Sequence, residues 1–334
     1  MKIRTSIATA AVLGATVAVA PLTASAKVDM KIGFVTINDG QHKAAKHFAE
    51  ELAKRSKGEF TARVFPAAQL GTIPRQIEGV LFGTQEAFIS PPGFFVGLNK
   101  AFMAADAPGL FTGFAHQSKT LNHPTVREKF LNLATAKGVT GVYLTSAGAS
   151  ALSMRDPVRK IADVKGKKIR VLASPIEVAI MKELGAAGTP MAYSEVLPAI
   201  QRRVLDGASS AVTVMGPSKF YTAAKYLTPT SITYIPTAMW CSAKWMEKLS
   251  AEQRKMLNDI GKELTEQGAK WSEEDTATWE KKWGEEGGTV LRFDAAEHKA
   301  VLDRLRPIGD KILSSDPAIA PMYNLIKAAA KATM

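Results

Sequence analysis

Cysteine is almost missing from this chain. Cys241 is the only one among 334 residues, so no disulfide within the chain can brace the fold. Stability has to come from a large buried core. Histidine is scarce too, with five, at 42, 47, 116, 123 and 298. None stands in H-E-x-x-H spacing, and His42 and His47 are five apart where a helical pair of metal ligands needs four. No metal and no cofactor is expected. There is no G-x-S-x-G, no P-loop lysine and no G-x-G-x-x-G behind a strand. A catalytic triad assembled from dispersed residues stays open, because triads are defined by geometry rather than order. Beyond residue 26 no apolar run approaches the roughly 20 residues that span a bilayer. Internal repeats, low-complexity tracts and a Pro/Gly/Ser-rich linker are absent as well.

The opening residues "MKIRTSIATAAVLGATVAVAPLTASA" join Lys2 and Arg4 to an apolar run and then Ala24-Ser25-Ala26. This is the three-part pattern of a secretory signal peptide with an A-x-A cleavage site, placing the mature protein in the periplasm with Lys27 first. The formal charge is +12, or +10 once Lys2 and Arg4 are removed. Such an excess suits an anionic ligand, and the basic residues are interspersed with acids rather than blocked. Export argues against nucleic acid as a partner.

What is present is a β-α-β rhythm. "VDMKIGFVT" alternates as a strand. "HKAAKHFAEELAKRSKG" follows, with Ala44, Ala45, Phe48, Ala49, Leu52 and Ala53 on one helical face and Gly58 beyond its end. "EFTARVFP" reads as a second strand, "IPRQIEGVLFG" as a helix ending at Gly83 and "TQEAFIS" as a third strand before the turn "PPG". The middle repeats the alternation: strands "GVTGVYLTSAG" and "KKIRVLA", and helix "SPIEVAIMKELG". That helix has Ser174 as N-cap, Pro175 at its first position, Glu177 closing a capping box and Gly185 as terminator. "SEVLPAIQRRVLDG" is a helix capped by Ser194 with Pro198 in its first turn, and "SSAVTV" a strand. The tail is helical: Ser250 with Gln253 caps a helix running to about Trp283, and Asp294 with Glu297 caps the next. This order predicts an α/β molecule of two lobes joined by crossing strands, with a cleft between them.

Arg170 sits in the strand "KKIRVLA" just before the Ser174 cap. In α/β folds ligands bind beyond the carboxyl ends of strands, and helix N-termini offer free amides and partial positive charge. An arginine there can hold both oxygens of a carboxylate with its planar fork. The alternative is a strand arginine reaching water.

The stretch "IADVKGKKIRVLASPIEVAIMKELGAAGTPMAYSEVLPAIQRRVLDG" resembles the solute-binding proteins of tripartite ATP-independent periplasmic (TRAP) transporters, the DctP type. Three motifs carry the likeness in order, at Asp163 to Val171, Gly185 to Val196 and Ala199 to Gly207. "HKAAKHFAEELAKRSKGEFTARVFPAAQLG" and "SKFYTAAKYL" extend it over nearly the whole mature chain. The resemblance implies a type II periplasmic-binding-protein fold. It has two α/β lobes, a ligand cleft and a long crossing C-terminal helix. We expect lobe I at 27–147 plus 236–275 and lobe II at 148–235 plus 276–334. It implies that Arg170 grips the ligand carboxylate. Arg155 matches a second arginine at or near the site, or else forms a surface ion pair. Ser210 stands where an asparagine commonly meets the ligand. Phe94, Tyr234 and Trp240 are candidates for the pocket wall, with core packing as the alternative.

The loop "SPPGFF" and the segment "TYIPTAMW" are more apolar than the family pattern. We therefore expect a small organic carboxylate, a monocarboxylate such as a 2-oxo or aromatic acid, delivered to the small and large TRAP membrane subunits, with no bond made or broken. Other readings are a C4-dicarboxylate receptor of the same class, a receptor for an ATP-driven importer or sensor, an exported enzyme acting on an organic acid, and a basic surface-adhering protein.

Overall fold

A computed structural model describes residues 27–334; the leader expected at 1–26 lies outside the described residues. Nine strands form one mixed sheet: β1 Val28–Gly33, β2 Phe60–Phe65, β3 Ala87–Ser90, β4 Val139–Met154, β5 Lys168–Val171, β6 Ala187–Pro190, β7 Gly207–Ala211, β8 Tyr226–Ser242 and β9 Thr289–Val290. Their order is β2-β1-β3-β8-β4-β7-β5-β6, with β9 beside β8. β1, β2 and β3 are mutually parallel, as are β5, β6 and β7. The long antiparallel pair β4 and β8 runs through both sets and joins them. The expected two-lobed α/β architecture is present, and its halves share one sheet.

The helices are α1 Gly40–Arg55, α2 Ile73–Phe82, α3 Phe114–Asn122, α4 Pro124–Leu131, α5 Pro175–Glu183, α6 Tyr193–Gln201, α7 Val212–Met215, α8 Ala243–Met246, α9 Ala251–Glu285, α10 Ala295–Ser315 and α11 Ala320–Ala332. α1 buries Ala44, Ala45, Phe48 and Leu52 with Gln41, close to the face read from the sequence. α9 is the long helix. Its Ser250–Gln253 capping box forms in both directions, and its 35 residues extend about 50 Å at 1.5 Å each. It packs on β4, α1 and α3 in the first half and on α7 and β9 in the second. α11 packs on α3, α4 and the 3₁₀ segment Lys100–Asp106.

The core has two main parts. One gathers Phe88, Phe95, Phe102, Phe130 and Trp240 and continues beneath α5, α10 and α11. The other lies under α1 and α9, around Phe34, Phe48, Phe60 and Trp245. A smaller cluster around Phe220 and Trp283 supports α6.

Three local expectations need correction. "SSAVTV" is not all strand: β7 ends at Ala211, and residues 212–215 turn into α7. The β-branched residues Val212, Thr213 and Val214 are buried in helical form, so tertiary burial overrides their strand preference. α6 begins at Tyr193 behind Ala192 rather than behind Ser194, which moves Pro198 from the first turn to the helix interior. Ser174 precedes α5 as expected, but its side chain makes no capping bond, and Glu177 is buried.

Candidate functional site

The carboxyl ends of β1 and β3 and those of β5 and β7 converge on one gap between the halves, holding about 450 Å³ of empty space, its mouth included. Most of its wall is apolar. Ile73, Ile89 and Phe94 face it from the first half, and Leu172, Val214 and Ile235 close the far side. The polar groups are few: Thr36, Gln41 and Ser90 on one side, Arg170, Tyr193 and Ser210 on the other.

Arg170 is only 2% exposed. Its strand pairs with β6 at Thr189 and β7 at Ala208, which fixes the backbone on both sides. Nε and Nη2 each donate to the Met191 carbonyl at 3.2 Å. The guanidinium carbon lies 5.9 Å from the centre of the Tyr193 ring, a cation–π contact that holds its plane. Guanidinium carries five N–H groups, so three remain uncommitted. No carboxylate lies within ion-pair distance among the described residues. Burial lowers the Arg170 pKa to about 10, and Tyr193 and Glu177 oppose that shift from farther off. A buried cation without a paired anion costs several kcal/mol, so the site is electrostatically incomplete until an anion enters.

Tyr193 is fixed in turn. Its hydroxyl donates to the Val214 carbonyl at 2.9 Å and lies 2.8 Å from the Ser218 hydroxyl. Its ring stacks on Phe220 with centroids 5.7 Å apart. Ser210, opposite Ala151 on the sheet, lines the gap with a hydroxyl that bonds no other described residue. Across the gap, Gln41 Nε2 reaches Thr36 Oγ1 at 3.3 Å and Asp39 Oδ2 at 3.4 Å.

Of the residues singled out from the sequence, the structure brings Arg170, Ser210 and Phe94 to the gap. Arg155 is elsewhere. Its backbone amide donates to the Asp206 carbonyl, and Asp206 Oδ2 accepts from Lys168 N at the entrance of β5. That is the amino end of the strand, about 10 Å along it from the carboxyl end where the gap lies. Trp240 is fully buried; it packs 5.0 Å from both Phe95 and Phe102, and its indole donates to the Ser90 carbonyl at 3.1 Å. It supports the wall from behind without lining it. Tyr234 packs edge-on against Phe114 at 5.1 Å, and its carbonyl accepts from Gln117. It too is outside the lining. Thr36, Gln41 and Tyr193 were not foreseen. The rule of strand carboxyl ends applies to Thr36 and Gln41, which follow β1, and would have pointed to them.

Among the described residues lining the gap, only Arg170 and Tyr193 titrate, and no described cluster of His, Cys, Asp or Glu could hold a metal. The arrangement can bind and orient an acid; it offers no histidine or carboxylate to move a proton.

Residues 34–316 match the family described as bacterial extracellular solute-binding protein, family 7 (DctP). The chain is 32% identical over 230 residues to the 2,3-diketo-L-gulonate-binding periplasmic protein YiaO of Escherichia coli (strain K12), covering 68% of this chain and 70% of that protein. It is 25% identical to the C4-dicarboxylate-binding periplasmic protein DctP of Vibrio cholerae, over 85% of this chain and 86% of that one. In fold it resembles a TRAP periplasmic solute-binding protein from Desulfovibrio salexigens solved with bound orotic acid. The TM-score is 0.86 at 23% identity, with 92% of this chain and 100% of that chain covered.

Proposed function

This chain belongs to family 7 of the bacterial extracellular solute-binding proteins, the DctP type of TRAP receptor, and on that premise we propose that it captures a small organic monocarboxylate at Arg170 in the periplasm. It then hands the ligand to the small and large membrane subunits of its transporter. The observation that carries the reading is the Arg170 guanidinium. It is 2% exposed, anchored by Met191 and Tyr193, without an ion-pair partner, and lines the gap where the strand ends of both halves meet. A ligand carboxylate supplies the missing charge and can take two of the free N–H groups at once.

The rest of the wall favours one carboxylate and a largely apolar body. Among the described residues no second cation lines the gap, so a second carboxylate would be buried unpaired at a cost of several kcal/mol. Ser210 adds one hydroxyl donor beside Arg170. Phe94 contributes the flank facing the ligand body. Arg155, Tyr234 and Trp240 lie outside the lining. We place the lobe boundaries at 147/148, 235/236 and 275/276, where β4, β8 and α9 pass from one half to the other. Transfer to the membrane needs release of the ligand rather than chemistry.

A C4-dicarboxylate is the second reading, favoured by the similarity to the Vibrio cholerae relative that binds such acids. Two experiments separate the cases. Mass spectrometry of whatever acid is released on denaturing the purified protein identifies the ligand. Calorimetry with that acid should show Arg170→Ala losing at least about a hundredfold in affinity, the loss of a buried charge-assisted pair. Arg170→Lys, with charge but no fork, should bind about tenfold or more weaker than wild type. Wild-type affinity in both variants would sink the assignment.

A further inference from the structure

The wall opposite Arg170 carries its own directional chemistry, and this step rests on the organic-acid reading above. Gln41 and Asp39 are 5% and 2% exposed. Asp39 is the N-cap of α1, and its Oδ1 accepts from His42 N at 3.0 Å. The helix end that faces the gap from the first half is therefore already occupied by the protein's own carboxylate. No cation forms an ion pair with Asp39 among the described residues. The other carboxylate oxygen, Oδ2, faces the amide of Gln41. A carboxylate only accepts hydrogen bonds, so the amide end turned toward it has to be the NH₂ group. Thr36, whose hydroxyl also engages Asp39, takes the second contact of that nitrogen. Both contacts of the amide nitrogen thus lie on the protein side. The amide oxygen bonds no described residue, and Gln41 lines the gap.

The two sides of the gap therefore differ in kind. Arg170 and Ser210 present donors, whereas Gln41 presents an acceptor backed by the buried Asp39 carboxyl, whose pKa burial raises while hydrogen bonds from Thr36, the His42 amide and Gln41 oppose the rise. We propose that Gln41, oriented by Asp39, is a specificity-determining residue. It selects acids that carry a hydroxyl or other hydrogen-bond donor at the end remote from the carboxylate, and it rejects a second carboxylate there. A hydroxyl meets the amide oxygen as a donor. A carboxylate would set oxygen against oxygen, with the Asp39 carboxyl behind it and, among the described residues lining that side, no cation to compensate. A methyl end would leave the buried amide oxygen unpaired, which weakens binding.

The test uses the full mature chain, refolded free of ligand, and two matched sets of probes: hexanoate, 6-hydroxyhexanoate and adipate, then galactonate and galactarate. Isothermal calorimetry should rank 6-hydroxyhexanoate about tenfold tighter than hexanoate, with adipate weakest, and galactonate at least about tenfold tighter than galactarate. Gln41→Met keeps the side-chain length but removes the acceptor and with it the unpaired oxygen, so the advantage of 6-hydroxyhexanoate over hexanoate should vanish, with hexanoate binding at least as tightly as to the wild type. Asp39→Asn keeps a good helix cap but frees the amide to turn and removes the charge, so adipate should gain about tenfold. Unliganded melting temperatures establish that both variants are folded. Adipate or galactarate binding as tightly as its hydroxylated counterpart overturns the inference, as does Gln41→Met retaining the hydroxyl preference. If no acid of either set binds the wild type, the organic-acid reading falls, and the selector role falls with it.

Discussion

Asp106 and Glu177 are acids placed where water is scarce. Asp106 ends a 3₁₀ segment of the first half, and Glu177 lies in the first turn of α5 in the second. Asp106 Oδ2 and the neighbouring Ser174 hydroxyl are buried beside each other, with no further hydrogen-bond partner for either. Burial raises the Asp106 carboxyl to about 7, and burial together with Asp106 raises Glu177 to about 8. Unfolded carboxyls titrate near 4, so the folded state holds these protons more tightly. The stability the two groups contribute is full below about pH 4 and is lost as pH rises through about 7 and 8. The melting temperature should therefore fall between pH 5 and pH 9. The double variant Asp106→Asn, Glu177→Gln should flatten that slope and be the more stable protein at pH 9. An unchanged slope in thermal melts would refute this. The placement of Arg170 at a strand end was legible in the sequence from local alternation, whereas its proposed role rests on the family resemblance. Trp240 and Tyr234 looked equally eligible, yet their partners Phe102 and Phe114 lie more than a hundred residues away, where local pattern carries no information. Gln41 was hidden for another reason: its role depends on Asp39 and Thr36 orienting the amide.

Among the elements, α9 depends on close contact. A side chain at Gly261 would place its Cβ 2.3 Å from the Val142 carbonyl oxygen on β4. Alanine is the better helix former by about 1 kcal/mol, but backbone cannot yield as a flexible side chain does. Gly261→Ala should thus destabilise the protein, by about 1–3 kcal/mol as overpacking does; a rise in urea midpoint would contradict it. Ser250→Ala removes one arm of a complete capping box and should cost about 1 kcal/mol, read by the same denaturation. That box was visible in the sequence because both partners lie within one turn. The fate of Ser174 and Glu177 was not. The same motif is present there, but packing against the Asp106 segment takes both side chains elsewhere. The α7 turn escaped for a related reason, since a four-residue helix buried on all sides has no period to read.

At the scale of the whole molecule, the crossing strands shift register once near the start of β4, between Gly141 and Tyr143, and twice at the midline. β4 shifts register around Gly148, and between the pairs Ala149–Tyr234 and Ala151–Pro229 β8 spends four residues where β4 spends one. Gly148 has φ +143, and a Cβ there would lie 2.6 Å from that of Ala211 beside the gap. Bulges of this kind are where a sheet can bend without breaking its ladder. Ligand binding should draw the halves together, lowering the radius of gyration in solution scattering, and should raise the melting temperature in proportion to the logarithm of ligand concentration. Gly148→Ala should blunt the scattering change relative to wild type while leaving the ligand's stoichiometry intact; an undiminished contraction would count against a bend at this point. The chain passes between the halves along β4, β8 and α9, so neither half is a continuous stretch of the gene. A recombination event that exchanges one stretch of coding sequence cannot transplant an intact lobe from a relative. A new ligand preference in such a receptor has to accumulate codon by codon at the rim of the gap, with the scaffold inherited whole.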